Sequence, residues 1–194
     1  MSGIVGSRLN NRGSGLVGSL GTDGQVLTSS GAGVGAVYEA AAGGGKVGQA
    51  VTAIRADDTS VTASSFTDTN CAVTITPSAA DSKILVLMSV PTWMYRGGYD
   101  NCRFKGQIVR SISGGAATNL VVGGGGSMGG QFKTTASDDV WGTWLNYTLL
   151  DSPSTTSATT FKLQLAVDNT DGTTYVVANA NDTASYMTAL EVLA

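Results

Sequence analysis

The sequence predicts an all-β protein: an antiparallel β-sandwich of jelly-roll type with an extended glycine-rich arm at its N-terminus. Three observations lead there. Roughly eight to ten short runs rich in Val, Ile, Thr and aromatic residues are spaced by Gly, Pro, Asn and Asp turns. No stretch repeats its apolar residues with a convincing helical period. Charged residues make up only 13% of the 194, about half the usual share, and Thr, Ser, Gly and Ala stand in their place.

The chain divides by composition into an arm, residues 1–45, and a domain, residues 46–194. The arm holds thirteen of the 27 glycines and a single aromatic residue, Tyr38. It cannot bury enough apolar surface to order itself. Yet Ile4, Val5, Leu9, Leu16, Val17, Leu20, Val26 and Leu27 recur among very few charges, unlike a solvated tail. These eight are the candidate attachment residues, small apolar side chains that fill shallow pockets on a partner while glycine lets the backbone lie close.

In the domain, Lys46–Arg55 reads as a first strand and Asp57-Asp58 breaks it. Val61–Phe66 and Cys71–Thr76 follow as short strands, the second stopped by Pro77. Lys83–Val90 is the most apolar run, apolar on both faces, and is expected to be a central strand covered on both sides. Pro91–Asn101 reads as a loop that gathers Trp93, Tyr95, Arg96 and Tyr99, a candidate receptor or subunit contact. Arg103–Ser113 returns as a strand and Asn119–Val122 as a short one. Gly123–Gly130 is of low complexity.

Val140–Leu150 alternates Trp144, Asn146, Thr148 and Leu150 against Leu145, Tyr147 and Leu149. Thr160–Val167 has the cleanest period of two, with Phe161, Leu163, Leu165 and Val167 on the core side. Asp171-Gly172 is a hairpin signal before the strand at Thr174–Ala178. Ala184–Leu193 is the last strand.

Two stretches carry a resemblance. GSLGTDGQVLTSSGAG, from Gly18 to Gly33, is similar to the LGTxGQVLTSxGxG segment that recurs in tail-fibre and other virion proteins of tailed bacteriophages. The opening MSGIVGSRLN resembles marine phage proteins of that kind. The pairing of Val73–Ser78 with Ser82–Val86 is similar to the same group. The resemblance implies a virion structural protein, commonly trimeric, and it brings no catalytic residue with it.

Composition excludes several functions. There is no histidine, so Ser-His-Asp and Cys-His nucleophilic sites and His-containing zinc sites are absent. With two cysteines, Cys71 and Cys102, no ordinary structural zinc shell can form, and both thiols are expected to be free and buried. The net charge is −3 and the eleven Lys and Arg are scattered, so nucleic acid is not an expected partner. The longest apolar run is far short of the roughly 20 residues that span a bilayer. No signal peptide is read at the start.

Glycoside hydrolysis needs only two carboxylates. The candidates Asp57, Asp58, Asp138, Asp139, Asp168, Asp171 and Glu191 lie almost all in turn contexts that favour Asp for local reasons. Asp168–Gly172 lacks the closing Glu of a calcium loop, and Gly43–Lys46 lacks the spacing of a phosphate loop. No cofactor and no metal are expected.

The functional expectation is a non-enzymatic virion protein, assembled in the host cytoplasm. It would be a trimeric tail fibre or tail appendage, held by its arm to other virion proteins and contacting a host surface glycan or protein. A capsid decoration protein and a carbohydrate-binding module are the alternatives.

Overall fold

A computed structural model describes residues 25–28, 37–40, 46–96, 102–121, 128–132, 139–168 and 174–193. The chain separates into two units, Met1–Lys46 and Val47–Ala194. In the first, β1 (Gln25–Thr28) pairs antiparallel with β2 (Val37–Ala40), so Val26 faces Glu39 and Leu27 faces Tyr38 across the ladder. The segment read as wholly extended therefore contains a two-stranded ribbon. Two strands alone are marginal in water.

The second unit is a β-sandwich. One sheet contains β3 (Val47–Arg55), β13 (Ser185–Val192), β6 (Lys83–Arg96) and β10 (Asp139–Asp151) in that order. Beside the far half of β6, β4 (Thr59–Val61) and β12 (Tyr175–Ala178) take the places of β3 and β13. The other sheet contains β5 (Thr67–Ile75), β11 (Thr159–Val167) and β7 (Cys102–Ile112). Two short strands, β8 (Thr118–Asn119) and β9 (Met128–Phe132), lie along the free edge of β7.

Every described pairing is antiparallel, and five of them nest: β7 with β9, β6 with β10, β5 with β11 and then, side by side in one sheet, β4 with β12 and β3 with β13. The first four alternate between the two sheets. That is one long hairpin rolled up on itself, the jelly roll that the sequence predicts.

Each strand presents alternate residues to the interior. Ile84, Val86, Met88 and Val90 of β6 meet Phe161, Leu163, Leu165 and Val167 of β11, Val73 and Ile75 of β5, and Phe104 and Ile108 of β7 in one buried cluster. The outward residues of β6 have no second layer over them among the described residues of this unit. Leu85 is half-buried and Leu87 exposed, so this central strand is covered on one side only.

Strand limits differ from the sequence reading for local reasons. β6 runs through Pro91 to Arg96, where a loop was expected. Along that edge β13 pairs as far as Ser89 and β12 starts at Thr92. The Pro91 carbonyl accepts from the Asn179 N–H (2.9 Å), so the missing proline N–H faces the same gap and leaves the ladder to β10 intact. β5 begins four residues before Cys71. Its polar start escaped the pattern because a bulge lies opposite Lys162–Gln164, and Thr69 turns inward to donate to the Leu163 carbonyl (2.8 Å). The hairpin signal at Asp171-Gly172 lies outside the described residues, and the strands on either side of it, β11 and β12, belong to different sheets.

One polar node lies inside the sandwich. Asn179, fully buried and left-handed at φ 62°, donates to the Asp57 carbonyl (2.8 Å) and to Asn70 Oδ1 (2.7 Å), and accepts from Cys71 Sγ (3.2 Å). Cys71 is thus a free buried thiol with a polar partner. Asn tolerates the left-handed region better than other side chains. Asn179→Ala removes these three bonds, although the Asp57 carbonyl keeps the Asn70 amide (2.6 Å) and Cys71 Sγ keeps Ser185 Oγ (3.4 Å), and is expected to cost about 1–3 kcal/mol in denaturant unfolding.

Candidate functional site

The two outer faces of the sandwich have opposite chemistry. On the β5-β11-β7 sheet, outward side chains satisfy one another. Thr74 and Thr160 share a hydrogen bond (2.8 Å), and Lys162 and Gln164 both reach Asp68 (2.6 and 2.7 Å). Gln107 donates to Gln164 (2.6 Å), and Lys105 pairs with Asp168. The Lys162 ammonium and the Gln164 amide hold the Asp68 carboxyl below its usual range. Such cross-strand polar pairs make a solvated face.

The β3-β13-β6-β10 sheet is the reverse. The register places outward residues in rows across four strands: Ile54, Tyr186, Ser89, Asn146; then Thr52, Thr188, Leu87, Thr148; then Ala50, Leu190, Leu85, Leu150. Every large apolar residue that is strongly exposed among the described residues belongs to this sheet. Six are Ile54, Leu87, Val140, Trp144, Leu150 and Tyr186, and Val47 stands at the entry of β3. At the outward positions of its strands the one charged side chain is Lys83.

Toward the far end the face becomes concave. Gly142 pairs with Trp93, and a Cβ built on Gly142 would meet nothing within 4 Å. The gap between Val140 and Trp144 opens into a shallow cavity of about 310 Å³, bordered by Pro91, Trp93 and the turn at Ala180–Thr183. The Trp93 indole N–H is buried there without an acceptor. Tyr95 stacks on Tyr175, with ring centroids 5.0 Å apart.

Trp93 and Tyr95 are therefore strand residues on a sheet face, not loop residues. Arg96 ends the same strand, its backbone opposite Asp139. Tyr99 lies outside the described residues. Among the attachment residues, Val26 and Leu27 fall on β1, while Ile4, Val5, Leu9, Leu16, Val17 and Leu20 lie outside the described residues. Sequence reasoning passed over Leu87, Val140, Leu150 and Tyr186 as surface residues. The available signal was apolar residues at both parities; along β6 it read as burial from two sides, and along β10 the alternation was seen without a face assigned to it.

Three of the carboxylates noted as hydrolytic candidates have separate partners. Glu191 is buried at the inner edge of β13, where it accepts from the Ser78 N–H and hydroxyl (2.7 Å each) and from Gln49 Nε2 (2.8 Å). Asp168 is bound to Lys105, and Asp58 accepts from the Asp182 N–H (3.1 Å). Among the described residues no three His, Cys, Asp or Glu side chains cluster as a metal site, and no helix is long and apolar enough to cross a membrane.

No family model and no curated protein matches the chain. Solved structures with some likeness include a chain from infectious bursal disease virus, Gx strain, at 14% identity and TM-score 0.31 over 92% of this chain and 43% of that one. Another comes from T=1 particles derived from infectious bursal virus, at 13% identity and TM-score 0.28 over 81% and 39%. This chain thus spans less than half the length of either. Likeness at this level carries no argument about function.

Proposed function

We propose that the chain is a non-enzymatic structural protein of a tailed-phage particle. In this reading it is docked to other virion proteins by its N-terminal arm and assembled as a homotrimer in a tail fibre or tail appendage that meets the host surface. The observation that carries the reading is the rolled hairpin of nested strand pairs, an architecture that recurs in viral capsid and lectin domains. The sequence resemblance at Gly18–Gly33 and at Val73–Val86 points the same way. Trp93 and Tyr95 belong, in this reading, to a contact between subunits.

Immunogold labelling of intact particles with an antibody against the domain, beside mass spectrometry of purified particles, tests it. Gold at the tail is the expected result. Gold over the head would replace the appendage with a capsid decoration protein. Absence of the chain from particles would sink the virion reading, and binding to a glycan array would then favour a carbohydrate-binding module.

A further inference from the structure

We infer that the outer face of the β3-β13-β6-β10 sheet is the surface through which copies of this chain associate. The inference rests on the oligomeric part of the functional reading and not on the virion part. Its first ground is the asymmetry of the sandwich. One outer face is a ladder of mutually satisfied polar side chains, and the other leaves Trp144 51%, Leu150 56%, Ile54 54% and Tyr186 48% exposed. Leu190, Leu85 and Leu150 share a row beside Leu87, while Ile54, Tyr186 and Trp144 stand among Thr, Ser and Asn, and large apolar side chains gathered on one face in this way mark a contact.

Its extent suits a protein partner. Four strands at about 4.8 Å spacing, about 26–46 Å long, make a face of about 500–900 Å², near the roughly 800 Å² per partner of a stable interface. Charge selects a second copy as that partner. The chain carries a net charge of −3, so copies repel in general, but this face holds no carboxylate among its outward positions and only Lys83 as a cation. Two such faces meet without opposing like charges across their centres. Beyond Lys83, a charged partner would find nothing to pair with.

Shape adds a third ground. Trp144 projects from β10 two residues from the empty space at Gly142, so a knob and a hole adjoin on one strand. β10 itself pairs only with β6 among the described strands. From Val140 to Leu150 it has no Lys, Arg, Pro or acidic residue of the kind that keeps edge strands apart. Its inward Leu145, Tyr147 and Leu149 are only half-buried against the core. Face against face closes at two copies, and face against the β10 edge of the next copy closes as a ring. In either arrangement the apolar face is what becomes covered.

The test is the mass of the full chain by light scattering over a concentration series. Wild type is expected at two or three chain masses. The pair Leu87→Glu with Trp144→Glu is expected at one chain mass, with association weakened on the order of 100-fold. Gly142→Leu is the second variant. Its side chain enters open space in the isolated domain, so it folds and blocks only the contact. Thr74→Glu, on the polar face, is expected to keep the wild-type mass. Circular dichroism confirms that each variant is folded. A monomeric wild type at the highest soluble concentration overturns the inference, as do folded face variants that keep the wild-type mass, or a Thr74→Glu chain that dissociates equally.

Discussion

Phe161→Ala is expected to lower the unfolding free energy of the sandwich by about 3–5 kcal/mol. Phe161 has no exposed surface and is the third of nine residues in β11, the strand that pairs with both β5 and β7. Its ring is among the largest fully buried side chains. Truncation removes its transfer free energy and leaves a cavity that two laddered neighbours prevent from collapsing. Against a typical total of about 5–15 kcal/mol, that is a large share. Urea unfolding reads it as a lower midpoint at unchanged slope. Thr160→Ala, one residue along and facing outward, should cost no more than about 1 kcal/mol. Equal losses at the two positions would refute the assignment of faces along β11.

Glu191→Gln is expected to destabilise the domain near neutral pH and to remove part of its acid sensitivity. Burial alone would push the Glu191 carboxyl up. The Ser78 hydroxyl, the Gln49 amide and the Ser78 backbone N–H outweigh it and hold the carboxyl down at about 2, against an ordinary 4.5. Because the folded value is the lower one, the unfolded chain takes up the proton first. The stabilisation is complete above pH 4.5 and is lost as the pH falls from there toward 2. Its ceiling is about 3 kcal/mol.

The geometry explains why so much rests on one carboxylate. It joins β13 to β3 through Gln49, which also donates to the Thr76 carbonyl (2.6 Å), and joins both to the start of the β5–β6 connection at Ser78. An amide at position 191 cannot accept from all three donors with the strength of a carboxylate. Wild type and Glu191→Gln compared by thermal unfolding at pH 7, 4 and 3 should differ most at pH 7 and converge in acid. A gap that does not change with pH would mean that the carboxylate contributes packing and no charge.

Much of this architecture was legible in the residues. Phe161, Leu163, Leu165 and Val167 alternate strictly with Lys162, Gln164 and Ala166, and the structure buries the first set completely. A strand with one wet face writes its orientation into a period of two. Pro77, Gly114-Gly115 and Asp57-Asp58 marked breaks because fixed φ, missing donors and local side-chain hydrogen bonding act within a few residues.

Other features were out of reach for the same physical reason. Pro91 looked like a stop, and only the positions of β12 and β13 reveal that its missing N–H falls in a gap between them. Glu191 looked like one more carboxylate until residues 113 and 142 positions away supplied its donors.

By itself, then, the sequence determined the class of fold, most strands and the inward face of β11, since these depend on local backbone preference and alternation. Which strands neighbour which, and hence the rolled hairpin, was decided by tertiary structure. So was the meaning of residues that are apolar at both parities. Leu87 read as covered because the pattern reports apolarity alone, and the alternation around Trp144 did not say which side faced the core. Whether a second layer lies above a sheet depends on elements distant in sequence, and among the described residues of this unit none covers that face.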